Sequence, residues 1–257
     1  MSWRYQLQNV DPVEFGDEYA DYKVTDPFND KEAVRWSVAD VQIMRGDPHT
    51  KLLAYLSIGE AETYRPYWQK SWLMSDKPLW LDDENPDWPG NYKVEFWNGE
   101  WKQIIFKEVD AIIDQGFDGL YLDIIDAFEY FEDKGVHDAG HRMVRFVIEI
   151  AEHARKRRPG FLIFPQNGEA LLEFPSYVNT ISGIGVEDVV YGAEEDGEKN
   201  EVGHTAERCD DLRLLGDKPI LLVEYGLGPK RRDFTVGALD AFRIPTNHLL
   251  FTDRSLD

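Results

Sequence analysis

The sequence lacks the features that mark several classes of protein. Its 257 residues include a single cysteine, Cys209, which excludes an internal disulfide and a cysteine-based zinc site. No run of about 18 apolar residues occurs, so we expect no membrane span. Residues 1–5 have no charged head followed by an apolar core, and they therefore predict no signal peptide.

Basic residues are scarce. Lysine and arginine number 28 against 49 aspartates and glutamates, which gives a formal net charge of −21. Such a charge repels the phosphates of nucleic acids and of anionic membrane surfaces, so neither is an expected partner. It would attract a cationic partner, but it equally fits a role in solubility or adaptation to salt, because the acidic residues are spread over the whole chain.

Hydrophobic residues make up 42% of the chain, enough for a large core. Short apolar runs, several of them continuous as in strands buried on both faces, predict eight strands. They cover residues 5–8, 22–25, 52–58, 119–124, 162–165, 181–186, 220–225 and 249–252. Helical periodicity and end signals predict helices over 31–44, 101–115, 140–158, 207–215 and 230–242.

Alternating strands and helices predict a parallel sheet and an α/β fold. Eight strands in about 250 residues fit a (β/α)8 TIM-type barrel that forms a single domain over residues 1–257. No glycine-rich phosphate-binding fingerprint follows the first strand, which disfavours a dinucleotide-binding fold. The last helix is expected to be short or absent. The tryptophan-rich segment 76–101 is predicted to be a long loop after the third strand.

Acidic side chains follow several predicted strands, at the barrel end where catalytic residues lie. Any one of them could be a helix cap, but a convergent set costs electrostatic energy and indicates a functional site. Two carboxyl groups across a glycosidic bond can hydrolyse it, and aromatic rings can stack on sugars. The carboxylates are Asp26, Glu60, Asp123, Asp126, Glu187 and Glu224, and the aromatic candidates are Tyr64, Tyr67, Trp68, Trp72, Trp80 and Trp97.

Other chemistries have weaker signals. His137 and His141 have a zinc-compatible spacing, but no third ligand is indicated. Ser57 lacks the nucleophile-elbow pattern. An acidic cluster alone could bind Mg²⁺ or Ca²⁺. We predict no metal and no cofactor.

Six segments, in this order, resemble glycoside hydrolase family 114, the endo-α-1,4-polygalactosaminidases and their relatives. They are 5–8 (YQLQ), 54–62 (AYLSIGEAE), 88–92 (WPGNY, with FW at 96–97), 116–123 (GFDGLYLD), 165–168 (PQNG) and 183–188 (GIGVED). The resemblance spans nearly the whole chain. It implies a TIM-type barrel that cleaves α-1,4-linked galactosamine polymers and is secreted, although no signal peptide is visible and a cytoplasmic location stays open.

The resemblance also implies roles for individual residues. Asp123 would be the nucleophile and Glu187 the general acid/base. By resemblance, Tyr5, Asp26, Tyr55, Glu60 and Asn167 would line the substrate pocket. We add Asp126 and Glu224, which follow predicted strands, and the aromatic Trp97 to the predicted substrate-binding residues. The substrate would be a polysaccharide or oligosaccharide, and a cationic amino sugar would suit the acidic charge.

Three functions stay open from the sequence. The first is a retaining glycosidase that uses Asp123 and Glu187. The second is a carbohydrate-binding barrel without catalysis. The third is a metal-dependent hydrolase that uses Asp26, Glu60, Asp123 and Glu224. Whether Asp123 and Glu187 face each other across one pocket distinguishes the first from the second. Removal of metal with a chelator would abolish the activity only in the third.

Overall fold

A computed structural model describes residues 2–256. Its eight parallel strands are those that the apolar runs predict, with small shifts at the ends. They are β1 Trp3–Tyr5, β2 Tyr22–Thr25, β3 Lys51–Ser57, β4 Gly119–Asp123, β5 Leu162–Pro165, β6 Ile184–Glu187, β7 Ile220–Tyr225 and β8 Leu249–Thr252. The largest shift is in β1, which ends at Tyr5 because the backbone of Leu7 and Gln8 turns to bond the carbonyl of Leu256.

The strands form two parallel sheets, β1-β2-β3-β4-β5 and β6-β7-β8, that curve into a TIM-type barrel. A single parallel bridge between Gln166 and Gly185 joins β5 to β6. Between β8 and β1, the contact is made beyond the strands, where the Leu7 and Gln8 amides donate to the Leu256 carbonyl. The hydrogen-bond ladder is therefore interrupted at two seams while the strands still surround one interior.

Large aromatic side chains fill that interior. It is lined by the buried residues Trp3, Tyr5, Val24, Leu53, Tyr121, Phe164, Leu221, Val223 and Tyr225. A side chain on Gly185 would place its Cβ 2.0 Å from the Tyr121 hydroxyl, so only glycine leaves room for that ring. The interior of the barrel is thus solidly packed with side chains.

Eight helices surround the strands within the described residues. They are α1 Pro12–Asp17, α2 Val38–Arg45, α3 Gly99–Gln115, α4 Ala127–Asp133, α5 Ala139–Arg157, α6 Pro175–Thr180, α7 Val202–Leu212 and α8 Pro229–Ala241. None is long and apolar enough to cross a bilayer. As predicted, no helix follows β8 up to residue 256.

Local signals explain where the helices begin and end. The helix predicted over 31–44 begins only at Val38, because Ser37 and Asp40 form a capping box there. The helix predicted over 207–215 begins earlier, at Val202, and ends in a 3₁₀ turn, Arg213–Leu215. Helix α3 buries Ile105, Val109 and Ile112 and ends at Gly116, whose φ of 95° suits glycine.

The prediction of a loop over 76–101 is wrong. Part of the segment forms a small antiparallel sheet of the strands Glu60–Glu62, Asn91–Val94 and Leu81–Glu84, with Asn91–Val94 in the middle. The rings of Trp72, Trp80 and Trp101 pack beneath it, with centroids 5.0 and 5.2 Å apart between successive rings. These tryptophans belong to the main hydrophobic core, so their burial anchors the segment to the barrel in a way that its polar composition does not reveal.

Candidate active site

The two predicted catalytic residues lie at the ends of β4 and β6, the strands on either side of β5. Asp123 is the last residue of β4 and Glu187 is the last residue of β6. Burial raises the pKa of Tyr121, and the negative charges of Glu187 and Asp123 raise it further. The same two charges raise the pKa of Tyr5. Because both charges act on both interior tyrosines, the two carboxyl groups lie near each other, next to the aromatic layer.

Asp123 is held by two neutral donors. The Tyr55 hydroxyl donates to Oδ2 at 2.5 Å, and the backbone amide of Ile124 donates to Oδ1 at 2.8 Å. Ile124 adopts a φ of 58°, a strained conformation for a β-branched residue, which brings its amide to the carboxylate. Burial and the charge of Glu187 raise the pKa of Asp123 to about 7, while the two hydrogen bonds oppose that rise.

Glu187 is also held only by neutral groups. The side-chain amide of Asn167 donates to Oε1 at 3.0 Å, and the Tyr225 hydroxyl donates to Oε2 at 2.9 Å. The backbone amide of Glu187 in turn donates to Oδ1 of Asn167 at 3.1 Å. Asn167 has a φ of 58° just after β5, a conformation that asparagine tolerates better than most residues. The two residues therefore fix each other in place.

Four further predicted residues lie around the two carboxyl groups. Tyr55 and Asn167 make the bonds just described. Burial raises the pKa of Asp126, and the charges of Glu187 and Glu60 raise it further while Lys93 lowers it. The Tyr5 hydroxyl donates to Oε1 of Gln166 at 3.3 Å. These contacts bring Tyr5, Tyr55, Asp126 and Asn167 around the two carboxyl groups.

Two predicted residues are paired with cations. Both oxygens of Asp26 accept hydrogen bonds at 2.8 Å from the Arg65 guanidinium. Glu60 is fully buried, and its Oε1 accepts from Asn85 at 2.8 Å and pairs with the Lys93 ammonium at 2.6 Å. Because Lys93 also lowers the pKa of Asp126, the Glu60 carboxylate holds this cation at the side of the cavity.

Glu224 and Trp97 make other contacts. The oxygens of Glu224 accept the backbone amides of Val190 and Tyr191 at 2.8 and 3.1 Å, so Glu224 anchors the segment after β6. Trp97 packs edge-on against Phe96 and Phe131, and the Arg142 guanidinium lies over its ring. Neither side chain bonds to Asp123 or Glu187, and a role for them in substrate binding stays a prediction.

Sequence reasoning missed three residues at this site. Tyr121 precedes Asp123 by two positions on β4, so the alternation of side chains along a strand could have placed both on one face. Tyr225 ends β7 and was visible at a strand end, but nothing indicated its bond to Glu187. Lys93 lies in the segment predicted as a loop, and no local pattern marked it.

The structure does not assemble a metal centre from the carboxylates named in the metal-dependent hypothesis. Within residues 2–256, no three histidine, cysteine, aspartate or glutamate side chains come together in an arrangement that could hold a metal ion. Asp26 and Glu60 are paired with cations, and Glu224 is bonded to backbone amides. The four proposed ligands therefore do not form one group.

Comparison with known proteins identifies the family. The model of the glycoside-hydrolase family GH114 matches residues 1–257. An uncharacterized protein of Thermotoga maritima is 44% identical over 230 residues, which is 87% of this chain and 70% of that protein. An uncharacterized protein of Methanocaldococcus jannaschii is 38% identical over 270 residues, which is 99% of this chain and 77% of that protein.

Two solved structures share the fold. Aspergillus fumigatus Ega3 in complex with galactosamine superimposes with a TM-score of 0.70 at 19% identity, covering 100% of this chain and 92% of that one. The glycoside hydrolase domain of PelA from Pseudomonas aeruginosa gives a TM-score of 0.72 at 21% identity, with 100% and 96% covered. Together with the full-length family match, these findings show that the chain belongs to glycoside-hydrolase family GH114, as its motifs predicted.

Proposed function

We propose that this glycoside hydrolase cleaves α-1,4-linked galactosamine-type polysaccharides with retention of configuration, using Asp123 as nucleophile and Glu187 as general acid/base. The observation that carries the proposal has two parts. The carboxyl groups lie close enough that the charge of Glu187 adds to burial in raising the pKa of Asp123, and each group is bonded only to neutral donors. A paired cation would favour the ionised form of a carboxyl group, and neither of these groups has such a partner among its hydrogen bonds in the described part of the chain.

The mechanism uses one proton between the two groups. Ionised Asp123 attacks the anomeric carbon while Glu187 gives its proton to the departing glycosidic oxygen, so the carbon–oxygen bond to the leaving sugar breaks as the glycosyl–Asp123 ester forms. Glu187, now a base, takes a proton from water, and the resulting attack on the anomeric carbon releases Asp123. Each carboxylate oxygen has two lone-pair sites, so the bonds from Tyr55 and Ile124 orient Asp123 without blocking the attack.

An amino sugar suits the electrostatics of the cavity. The charge of Glu187 raises the pKa values of both Asp123 and Asp126, so negative charge is concentrated there. An ammonium group on the substrate would favour the ionised forms of these carboxyl groups and lower their pKa values on binding. The structure of the similar protein Ega3 contains galactosamine, which supports the same substrate class here.

The direct test is incubation with α-linked oligomers of galactosamine, N-acetylgalactosamine and galactose, with products identified by mass. Early products followed by proton NMR should show the α anomer first; the β anomer first would exclude retention. Cleavage of galactosamine oligomers should weaken as salt rises, whereas cleavage of galactose oligomers at equal rates would contradict capture by charge.

Two variants test the assigned roles. Asp123→Asn should lose nearly all turnover, because an amide is a poor nucleophile. Glu187→Gln should lose most activity on substrates with poor leaving groups and least on activated aryl glycosides, which need no protonation. A loss for Glu187→Gln that is equal on both kinds of substrate would contradict its role as the acid.

A further inference from the structure

Two large aromatic side chains are exposed outside the catalytic cavity. Tyr64 is 63% exposed and Trp88 is 61% exposed, whereas the nearby tryptophans Trp72, Trp80 and Trp101 are buried. Tyr64 follows the strand Glu60–Glu62, and Trp88 lies in the turn between Leu81–Glu84 and Asn91–Val94, so both flank the small antiparallel sheet. Their rings therefore add nothing to the core beneath that sheet, and their exposure needs another explanation.

The turn that carries Trp88 is firmly held. The Trp88 amide donates to the Asn85 carbonyl at 3.3 Å, and the Trp88 carbonyl accepts from Asn91 at 3.0 Å. The Gly90 amide donates to a carboxylate oxygen of Glu84 at 2.7 Å. Prolines at positions 86 and 89 restrict the same turn further. A rigid turn that presents an exposed indole loses little conformational entropy when a ligand binds to it.

Tyr64 is held at its polar end. Its hydroxyl donates to Oε1 of Glu62, and the Arg65 guanidinium lies 5.1 Å from the centre of its ring. Arg65 itself is fixed by ion pairs with Glu62 and Asp26. The tyrosine hydroxyl is therefore anchored while much of the side chain stays open to solvent.

Hydrogen bonds connect both positions to each other and to the active site. The Thr63 amide, next to Tyr64, donates to the Gly90 carbonyl at 2.9 Å, which joins the two turns. Asn85, at the start of the Trp88 turn, donates to Glu60 at 2.8 Å, and the charge of Glu60 raises the pKa of Asp126 in the cavity. The two exposed aromatics therefore lie on one rigid extension of the active-site wall.

The extension also carries the charge that a cationic sugar needs. Asp87, immediately before Trp88, is exposed, and its backbone amide is bonded to Asn85. An ammonium group is attracted both to a carboxylate and to the face of an indole ring. A neutral sugar would gain the stacking contact but not these electrostatic contributions.

We propose that Tyr64 and Trp88 form a second glycan-binding platform, which stacks sugar units of a cationic amino-sugar polymer that lie outside the Asp123–Glu187 cavity. This inference rests on the proposed function, since the polymer is the one cleaved there. The platform retains long chains at the active site, and short oligomers that fill only the cavity do not reach it. Its contribution to affinity therefore depends on chain length.

The test measures binding of galactosamine oligomers of increasing length by calorimetry, with Asp123→Asn as the background so that no cleavage occurs. Adding Trp88→Ala or Tyr64→Ala should weaken binding of long oligomers about tenfold, as expected for removal of an aromatic anchor, and leave the disaccharide nearly unchanged. Tyr19→Ala is the matched control: Tyr19 is 56% exposed and bonded to Asp21, but it precedes β2 at the other end of the barrel.

The outcomes separate this inference from the proposed function. If the background protein binds the oligomers but Trp88→Ala and Tyr64→Ala leave every length unaffected, or weaken every length equally, the platform is refuted and the proposed function stands. If the background protein binds no galactosamine oligomer of any length, the proposed substrate and the platform both fail. Thermal unfolding of each variant verifies that the fold is kept.

Discussion

Replacing Tyr55 by phenylalanine tests whether Asp123 acts in its ionised form. The Tyr55 hydroxyl donates to Oδ2 of Asp123 at 2.5 Å, and it is one of two groups that oppose the rise of the Asp123 pKa to about 7. The substitution removes one oxygen and keeps the ring, so the packing of the barrel interior should change little.

The size of the effect follows from that hydrogen bond. A hydrogen bond to a charged group contributes about 1.5–3 kcal/mol. Since one pKa unit corresponds to about 1.36 kcal/mol, the pKa of Asp123 should rise by about one to two units in the variant. Attack requires the ionised carboxylate, so the acidic limb of the rate profile should move to higher pH by the same amount. One unit below the wild-type pKa, the variant should be about 10- to 100-fold slower.

The assay is kcat/KM for a galactosamine oligomer, measured from acidic to alkaline pH. The ratio of wild-type to variant rate should be largest at acidic pH and shrink as pH rises. Tyr19→Phe provides the control, because it removes a tyrosine hydroxyl that donates to Asp21 at 3.2 Å, away from the site, and it should keep the wild-type profile. A Tyr55→Phe profile that is unshifted, or lowered equally at every pH, would mean that the Tyr55 hydroxyl does not favour the ionised form of Asp123.

Three other substitutions have defined outcomes. Asp123→Asn removes a carboxyl group whose pKa is raised from 3.8 to about 7 in the folded protein, so the wild type loses stability as pH rises through this window. Above the window, the variant should be the more stable protein in urea unfolding, by up to about 4 kcal/mol. A variant that is less stable than the wild type at alkaline pH would contradict this. Arg208→Lys keeps a cation near Glu169 but loses the contact of the guanidinium with Asn167, the residue that holds Glu187. The kcat should therefore fall about 10- to 100-fold with little change in KM. A change in KM alone would argue against a role of Arg208 in positioning Asn167. Lys23→Met leaves four carbonyl groups at helix ends without their buried ammonium donor. The substitution should lower the free energy of unfolding by about 3 kcal/mol without altering kcat. An unchanged unfolding midpoint would contradict a stabilising role of Lys23.

The barrel strands could be predicted because burial on both faces makes them continuous apolar runs. The run at 220–225 matches β7 residue for residue, and the run at 249–252 matches β8. Helices α3 and α5 were found within two residues at each end, since long amphipathic helices repeat their pattern several times. Short elements such as α1 carry too few residues for a periodic signal.

The antiparallel sheet could not be predicted for a related reason. Its strands Leu81–Glu84 and Asn91–Val94 have only four residues each and are largely polar. They are stabilised by contacts distant in sequence, such as the pair of Glu60 with Lys93 directly across the ladder. The wrong loop prediction therefore also hid Lys93, the cation beside Asp126.

The strand-end carboxylates differ in whether a cation is paired with them. The partners are distant in sequence, so no local pattern predicts which carboxylate has one. Asp26 is paired with the Arg65 guanidinium, so its charge is compensated. Within residues 2–256, Asp123 and Glu187 have no cation among their hydrogen-bond partners and accept only from neutral hydroxyl and amide groups. Neutral donors orient a carboxyl group without fixing its charge. The positions of Asp123 and Glu187 are therefore fixed without a cation, whereas Asp26 is committed to its ion pair.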